Sequence, residues 1–329
     1  MLKWWLFILF CFVRICTVQA IETLTIYATS AFSAPWGPGP RVKRAFEAQH
    51  HCRVRWVTFS GSGAILNRLK LEGGHGRADV VLGLESSVLR AAQESGLFAP
   101  QPLEKRQLTL PGGWQNRYFV PYGYSYLTFI YHQQRVMNPP RSLQELLEGP
   151  DHWRVIYADP RTSSPGSLFL HWMMTCTGPA VDTAWQQLAR KTVTVTKDWS
   201  EAHGLFLKGE ADFVLGYNTS LAYHQRQQPQ HPYRTLRFAE GHPLQVEVAA
   251  IVASSQQADL ANQFVQFMIT PTVQTLLPSL YWVYPVIELP LPPEFLQLDR
   301  PSVLLKFSEA TALQRQQWIQ TWRRAAVKG

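Results

Sequence analysis

Three short apolar runs in the first hundred residues alternate with segments of helical period. Leu24 to Ala28 is β-prone, and after the loop TSAFSAPWGPGP the spacing predicts a helix from Val42 to about Gln49. Cys52 to Phe59 reads as a second strand, and Ser60-Gly61-Ser62-Gly63 turns it into a helix from Ala64 to Glu72. Ala78 to Leu84, ADVVLGL, is apolar throughout, as a strand buried on both faces must be. A helix from Glu85 to about Ser95 follows. Strand, loop and helix three times over predict a parallel sheet with helices on both faces.

Pro111-Gly112-Gly113-Trp114 interrupts this pattern. Tyr118 to Tyr131 is aromatic and β-prone and reads as an extended crossing into a second lobe. Ser142-Leu143-Gln144-Glu145 is a capping box opening a short helix. Trp153 to Tyr157 predicts a strand running into Asp159-Pro160-Arg161-Thr162-Ser163-Ser164-Pro165-Gly166, then a helix from Ser167 to about Cys176. The most informative stretch is Thr192 to His224. There the β-branched run TVTVT, a helix from Trp199 to Lys208 closed by Gly209, the apolar strand Phe213 to Tyr217 and a helix carrying Tyr223 follow in order. Gln245 to Val252 looks like the return crossing. Ala258 to Met268 is amphipathic, Tyr281 to Val286 is an aromatic loop or strand, and Pro290 to Pro301 is proline-rich linker. A last helix spans Ser308 to about Val327, with Trp318 and Trp322 on one face. The expected organisation is α/β in two lobes, 21–125 with 250–329 forming the first and 126–249 the second.

Length and composition narrow the picture. The chain has 329 residues and 46% hydrophobic content, enough for two lobes with real cores. Lys3, the apolar run Trp4 to Val13 and Val18-Gln19-Ala20 have the form of a cleaved secretory signal at 1–20, which places the remainder outside the inner membrane. Cys16 follows Val13-Arg14-Ile15, not the small residues a lipid-anchor site needs. The formal charge of +8 is spread without a Lys/Arg run, so no nucleic-acid partner is expected. Cys52 and Cys176 fall in different lobes and are read as two buried thiols, the alternative being a disulfide in an oxidising compartment. No Gly-x-Ser-x-Gly elbow, Cys-x-x-Cys pair or His-x-x-x-His pair occurs, so neither a nucleophilic enzyme nor a metal site is expected, and no cofactor.

The chemistry gathers where strands end and helices begin, the usual place for a ligand in α/β units. Ser60-Gly61-Ser62-Gly63 is either a tight β-to-α turn or a set of backbone N–H groups for an anion. Thr162-Ser163-Ser164 puts three hydroxyls at a helix start, where a cap needs one. Trp36, Trp199, Tyr217, Tyr223 and Trp282 each fall at an element end. Packing explains any one of them; together on facing lobes they form a sandwich for a flat, cationic ring.

With these residues in place, the chain resembles the periplasmic thiamine-binding proteins of bacterial ABC uptake systems. The likeness runs from Leu24 to the last helix through WGPGP (36–40), ADVVLGL (78–84), PGGW (111–114), WRVIYADPRTSSPG (153–166), most of Thr192 to His224, and QVEVAA (245–250). The resemblance implies a type II solute-binding fold: two lobes, each a mixed, mostly parallel sheet flanked by helices, joined by crossing strands. It implies a monomer that binds thiamine, its monophosphate or its pyrophosphate and delivers it to an inner-membrane ABC permease. Carried over by position, Ser163, Ser164, Trp199, Tyr217, Asn218, Thr219, Ser220 and Trp282 match family ligand contacts, and Tyr223 a ring-stacking position. The chain departs from the family pattern twice. Gly61-Ser62 stands where the family has an acidic residue and a glycine, and Thr29 where it has an aromatic. Asp198, beside Trp199, is the candidate to restore the charge. The alternatives are a binding protein of this fold for a pyrimidine precursor, another organic cation or an oxyanion, and a thiamine-modifying enzyme.

Overall fold

The computed structural model describes residues 21–101, 108–230, 232–305 and 310–326. The expected signal at 1–20 and the first residues of the predicted last helix lie outside them. Ten strands follow in chain order: β1 (Thr23–Thr29), β2 (Arg53–Phe59), β3 (Val80–Glu85), β4 (Val120–His132), β5 (Val155–Ala158), β6 (Thr192–Thr196), β7 (Phe213–Tyr217), β8 (Tyr233–Thr235), β9 (Leu244–Ile251) and β10 (Tyr284–Pro285). They join in the order β2-β1-β3-β9-β4-β7-β5-β6, with β8 and β10 both paired to β4. β2-β1-β3 and β7-β5-β6 are parallel, whereas β4 and β9 run antiparallel to their neighbours. The sheet therefore has two parallel halves joined by two antiparallel crossings. Those crossings are the two segments whose length and apolar content set them apart in the sequence.

Each half has its own core. Around β1, β3 and β9, residues such as Leu24, Ile26, Val81, Phe46 and Phe264 form the first. Leu127, Phe129, Phe169, Trp172, Trp185 and Phe213 form the second on one face of the other half. Ile130, Ile156, Val214, Ala202 and Phe206 pack on its opposite face. β7 is apolar along almost its whole length because helices cover both sides of it. Half of the expected capping box forms: Ser142 Oγ accepts from the Glu145 N–H at 3.0 Å, while Glu145 Oε2 reaches one residue past the cap and accepts from the Arg141 N–H at 2.7 Å.

Three expectations need correction. The last helix, Ala312–Ala326, packs on the second core and not with the first lobe: Trp322 is buried there and its Nε1–H donates to Tyr157 Oη at 3.0 Å. A connection of 26 residues, 286–311, between β10 and this helix gives the chain the reach to return. The helix Val181–Lys191 was not expected, although Val181, Ala184, Trp185 and Leu188 follow its inner face. Cys52 is a buried free thiol, but the free thiol of Cys176 is exposed, because it lies in the last turn of its helix, facing away from the core.

Candidate ligand-binding site

The carboxyl ends of β2 and β5 bring two helix starts together across the lobes. Gly61 is fully extended, and the helix Ser62–Glu72 begins directly after it. Opposite, Ser163 caps the helix Ser164–Thr177, its Oγ accepting from the Gly166 N–H at 3.1 Å. Thr162 ties its hydroxyl to Lys197 O at 2.8 Å. That leaves Ser164 to face the first lobe, where its Oγ lies 3.1 Å from Ser62 Oγ. Of the three consecutive hydroxyls, one serves as a cap, one holds a loop, and one bridges the lobes. Ser60 is exposed at the rim.

The aromatics divide into two groups, with one outlier. Trp199 opens the helix Trp199–Leu207 and stacks on His203, ring centroids 4.8 Å apart and planes 17° from parallel. Its indole lies over Gly216, where a Cβ would meet Nε1 at 3.2 Å. A side chain there would push the indole away. Tyr217 ends β7, and its hydroxyl donates to Gln245 Oε1 on β9. The second group pairs Tyr223 edge-on with Trp282, centroids 5.3 Å apart, with the Arg226 guanidinium 4.7 Å from the Trp282 ring centre. Trp282 sits in the left-handed region, φ 58°, a strained conformation for a bulky residue. Trp36 is 65% exposed in the turn before the helix Gly39–His50.

The polar residues after β7 are engaged with the protein. Asn218 Oδ1 accepts from the Tyr126 N–H at 3.1 Å, and its Nδ2 donates to Tyr284 Oη and Asp299 O, each at 3.1 Å. Thr219 Oγ1 is 3.1 Å from Ser125 Oγ. Ser220 is buried at the start of its helix. Asn218 thus fixes the loop that carries Tyr217 and Tyr223. Asp198 is a helix cap, its Oδ1 accepting from the Glu201 N–H at 2.9 Å.

Two buried carboxyl groups meet where β3 and β9 pair, on residues to which the sequence gives no role beyond their elements. Glu85 ends β3 and stands directly across from Glu247 on β9. A bulge at Gly83, φ 98°, shifts the register of β3 just before Glu85, and a second between Pro121 and Gly123 shifts β4 at Tyr122. Glu247 Oε2 accepts from Tyr122 Oη at 2.6 Å and from Tyr281 Oη at 2.9 Å. Tyr281 Oη also lies 3.2 Å from Thr29 Oγ1, the position where the aromatic is replaced. Ser164 stands close enough to Glu85 to offset part of the rise in its carboxyl. Burial, then the charge of Glu247, push the Glu85 carboxyl well above the ordinary range; burial also raises Glu247. Tyr217, buried against both carboxylates, is pushed up in turn. Among the described residues, no group of three or more His, Cys, Asp or Glu is placed to hold a metal.

Over residues 24–279 the chain matches the family described as bacterial extracellular solute-binding protein. It is 49% identical to the thiamine-binding periplasmic protein of Escherichia coli K12, over 95% of this chain and 97% of that one. The chain belongs to this solute-binding family. Members named thiamine-binding periplasmic protein from Brucella abortus and Haemophilus influenzae are 41% and 40% identical, each over 94% of both chains. A solved periplasmic thiamin binding protein superposes with a TM-score of 0.88 at 49% identity, covering 93% of this chain and 96% of that one. Iron-bound HitA from Pseudomonas aeruginosa, at 20% identity and TM-score 0.76, covers 92% of this chain and 99% of its own, and shares the fold alone. The architecture is that of a type II periplasmic binding protein.

Proposed function

We propose that this chain is the thiamine-binding component of a bacterial ABC importer, working in the periplasm and handing its cargo to an inner-membrane permease. The observation that carries the reading is the 49% identity, spanning both lobes, to a thiamine-binding periplasmic protein. The site chemistry supports it. Thiamine is flat, aromatic and permanently cationic. Trp199, Tyr217, Tyr223 and Trp282 offer ring faces, and a cation over such a face gains roughly 0.5–2 kcal/mol. Ser62, Ser164 and the start of the helix Ser164–Thr177 offer hydroxyls and N–H groups to the monophosphate or pyrophosphate.

The lobe boundaries we propose are 21–125 with 250–305 for the first and 126–249 with 310–326 for the second. The Ser62–Ser164 contact is then a latch between them. The protein acts as a monomer, and binding without chemistry is its role. Calorimetry on protein lacking residues 1–20, with thiamine, its monophosphate and its pyrophosphate, tests the assignment. Heat with thiamine is expected, and absence of heat with all three would reject it.

A further inference from the structure

Two carboxylates directly opposite on neighbouring strands repel, and neighbouring like charges of this kind are ordinarily avoided. Here both are more than nine-tenths buried, Glu85 at 7% exposure and Glu247 at 6%. Their surroundings treat them differently. Glu247 has two phenol donors, whereas Glu85 Oε2 has no hydrogen-bond partner among the described residues. Buried polar atoms are nearly always paired, so an unpartnered carboxylate oxygen beside a second carboxylate marks a place where something else is meant to sit. Two bulges aim the pair at this spot, and Ser164 of the second lobe reaches it. The titratable groups around Glu85 are Glu247 on β9, Tyr217 on β7, Tyr122 on β4 and Tyr281 before β10. Among the described residues, no cationic side chain acts on either carboxyl.

We infer that Glu85 and Glu247 form an acidic floor that takes the positive charge of the bound organic cation, in place of the acidic residue missing at Gly61-Ser62. This rests on the thiamine reading. In the empty site the pair shares a proton, since two close buried carboxyls resist ionising together. The arriving cation replaces that proton, which leaves to the buffer. Binding therefore releases a proton and weakens as pH falls through the mildly acidic range.

The test is calorimetry of wild type, Glu85→Gln and Glu247→Gln with thiamine and with an uncharged isostere whose thiazolium nitrogen is replaced by carbon. Repeating each titration in buffers of different ionisation enthalpy counts the protons. Thiamine affinity should fall by about tenfold or more in Glu85→Gln, while affinity for the neutral isostere holds or rises. Proton release should be seen in wild type and lost in the variant. Equal losses for the two ligands, or wild-type binding without proton release, would overturn the floor while leaving the thiamine reading intact. A wild-type protein that gives no heat with thiamine overturns both. Should either glutamine variant fail to fold, proton release by the wild type decides the question.

Discussion

Tyr217 shows how a side chain can serve fold and ligand at once. Its hydroxyl bonds to Gln245 on the crossing strand, and its ring is left beside the acidic floor. Trp199 is held by His203 beneath it, so its indole is already oriented before a ligand arrives. Trp199→Ala and Tyr217→Ala should each weaken thiamine about tenfold, or roughly 1–2 kcal/mol, by titration calorimetry. Asp198→Ala addresses a different role. It removes a cap and should cost about 1 kcal/mol of stability in thermal or denaturant unfolding. Its effect on affinity should be small, because its carboxylate is turned to the Glu201 N–H.

At the scale of elements, what could be read from the sequence depended on local signals. β7 and the flanking helices stand out because an apolar strand, a glycine stop and a cap all fall within a few residues of one another. The helix Val181–Lys191 has its periodicity and Gly178-Pro179 just before it, but it follows the preceding helix after only a short turn and no capping box opens it. The last helix was readable as a helix, but its address was not. Nothing near Trp322 says that its indole ends against Tyr157, 165 positions earlier. Trp322→Ala empties that place and should cost about 3–5 kcal/mol, seen as a large drop in melting temperature. The acidic floor escaped sequence reasoning for a related reason. Glu85 sits at the seam between a strand and a helix, and Glu247 alternates with valines, so each looks like an ordinary surface position. Only the strand register places them opposite each other. The ring-bearing residues were easier to find, since element ends can be located from turns and caps alone.

For the molecule as a whole, buried titratable groups set how stability follows pH. Burial lowers His203 and His242 to about 4, from an ordinary 6.5. His242 is fixed as the neutral tautomer: its Nε2 accepts from the Phe238 N–H, and its Nδ1–H donates to Leu127 O, both at 2.9 Å. The unfolded chain takes up protons at these sites below 6.5 while the folded chain does not. Stability from them is therefore complete above pH 6.5 and declines as pH falls toward about 4. The acidic floor acts in the opposite sense. Its raised carboxyls favour the folded state at low pH, and that contribution is lost as pH rises through their folded values. Melting curves of Glu85→Gln without ligand, where the opposing carboxyl is removed, should fall in midpoint from pH 6.5 toward 4. Glu85→Gln should melt higher than wild type at neutral pH.

β4 gives its first seven residues to β9 and most of the remainder to β7 and β8. One ribbon is thus stitched into both halves, and fraying it in either robs the other of an inner neighbour. The two halves must hold or fail as a pair, and any gape between them has to come from flexing of that shared ribbon and its partner, never from slackness in a tether.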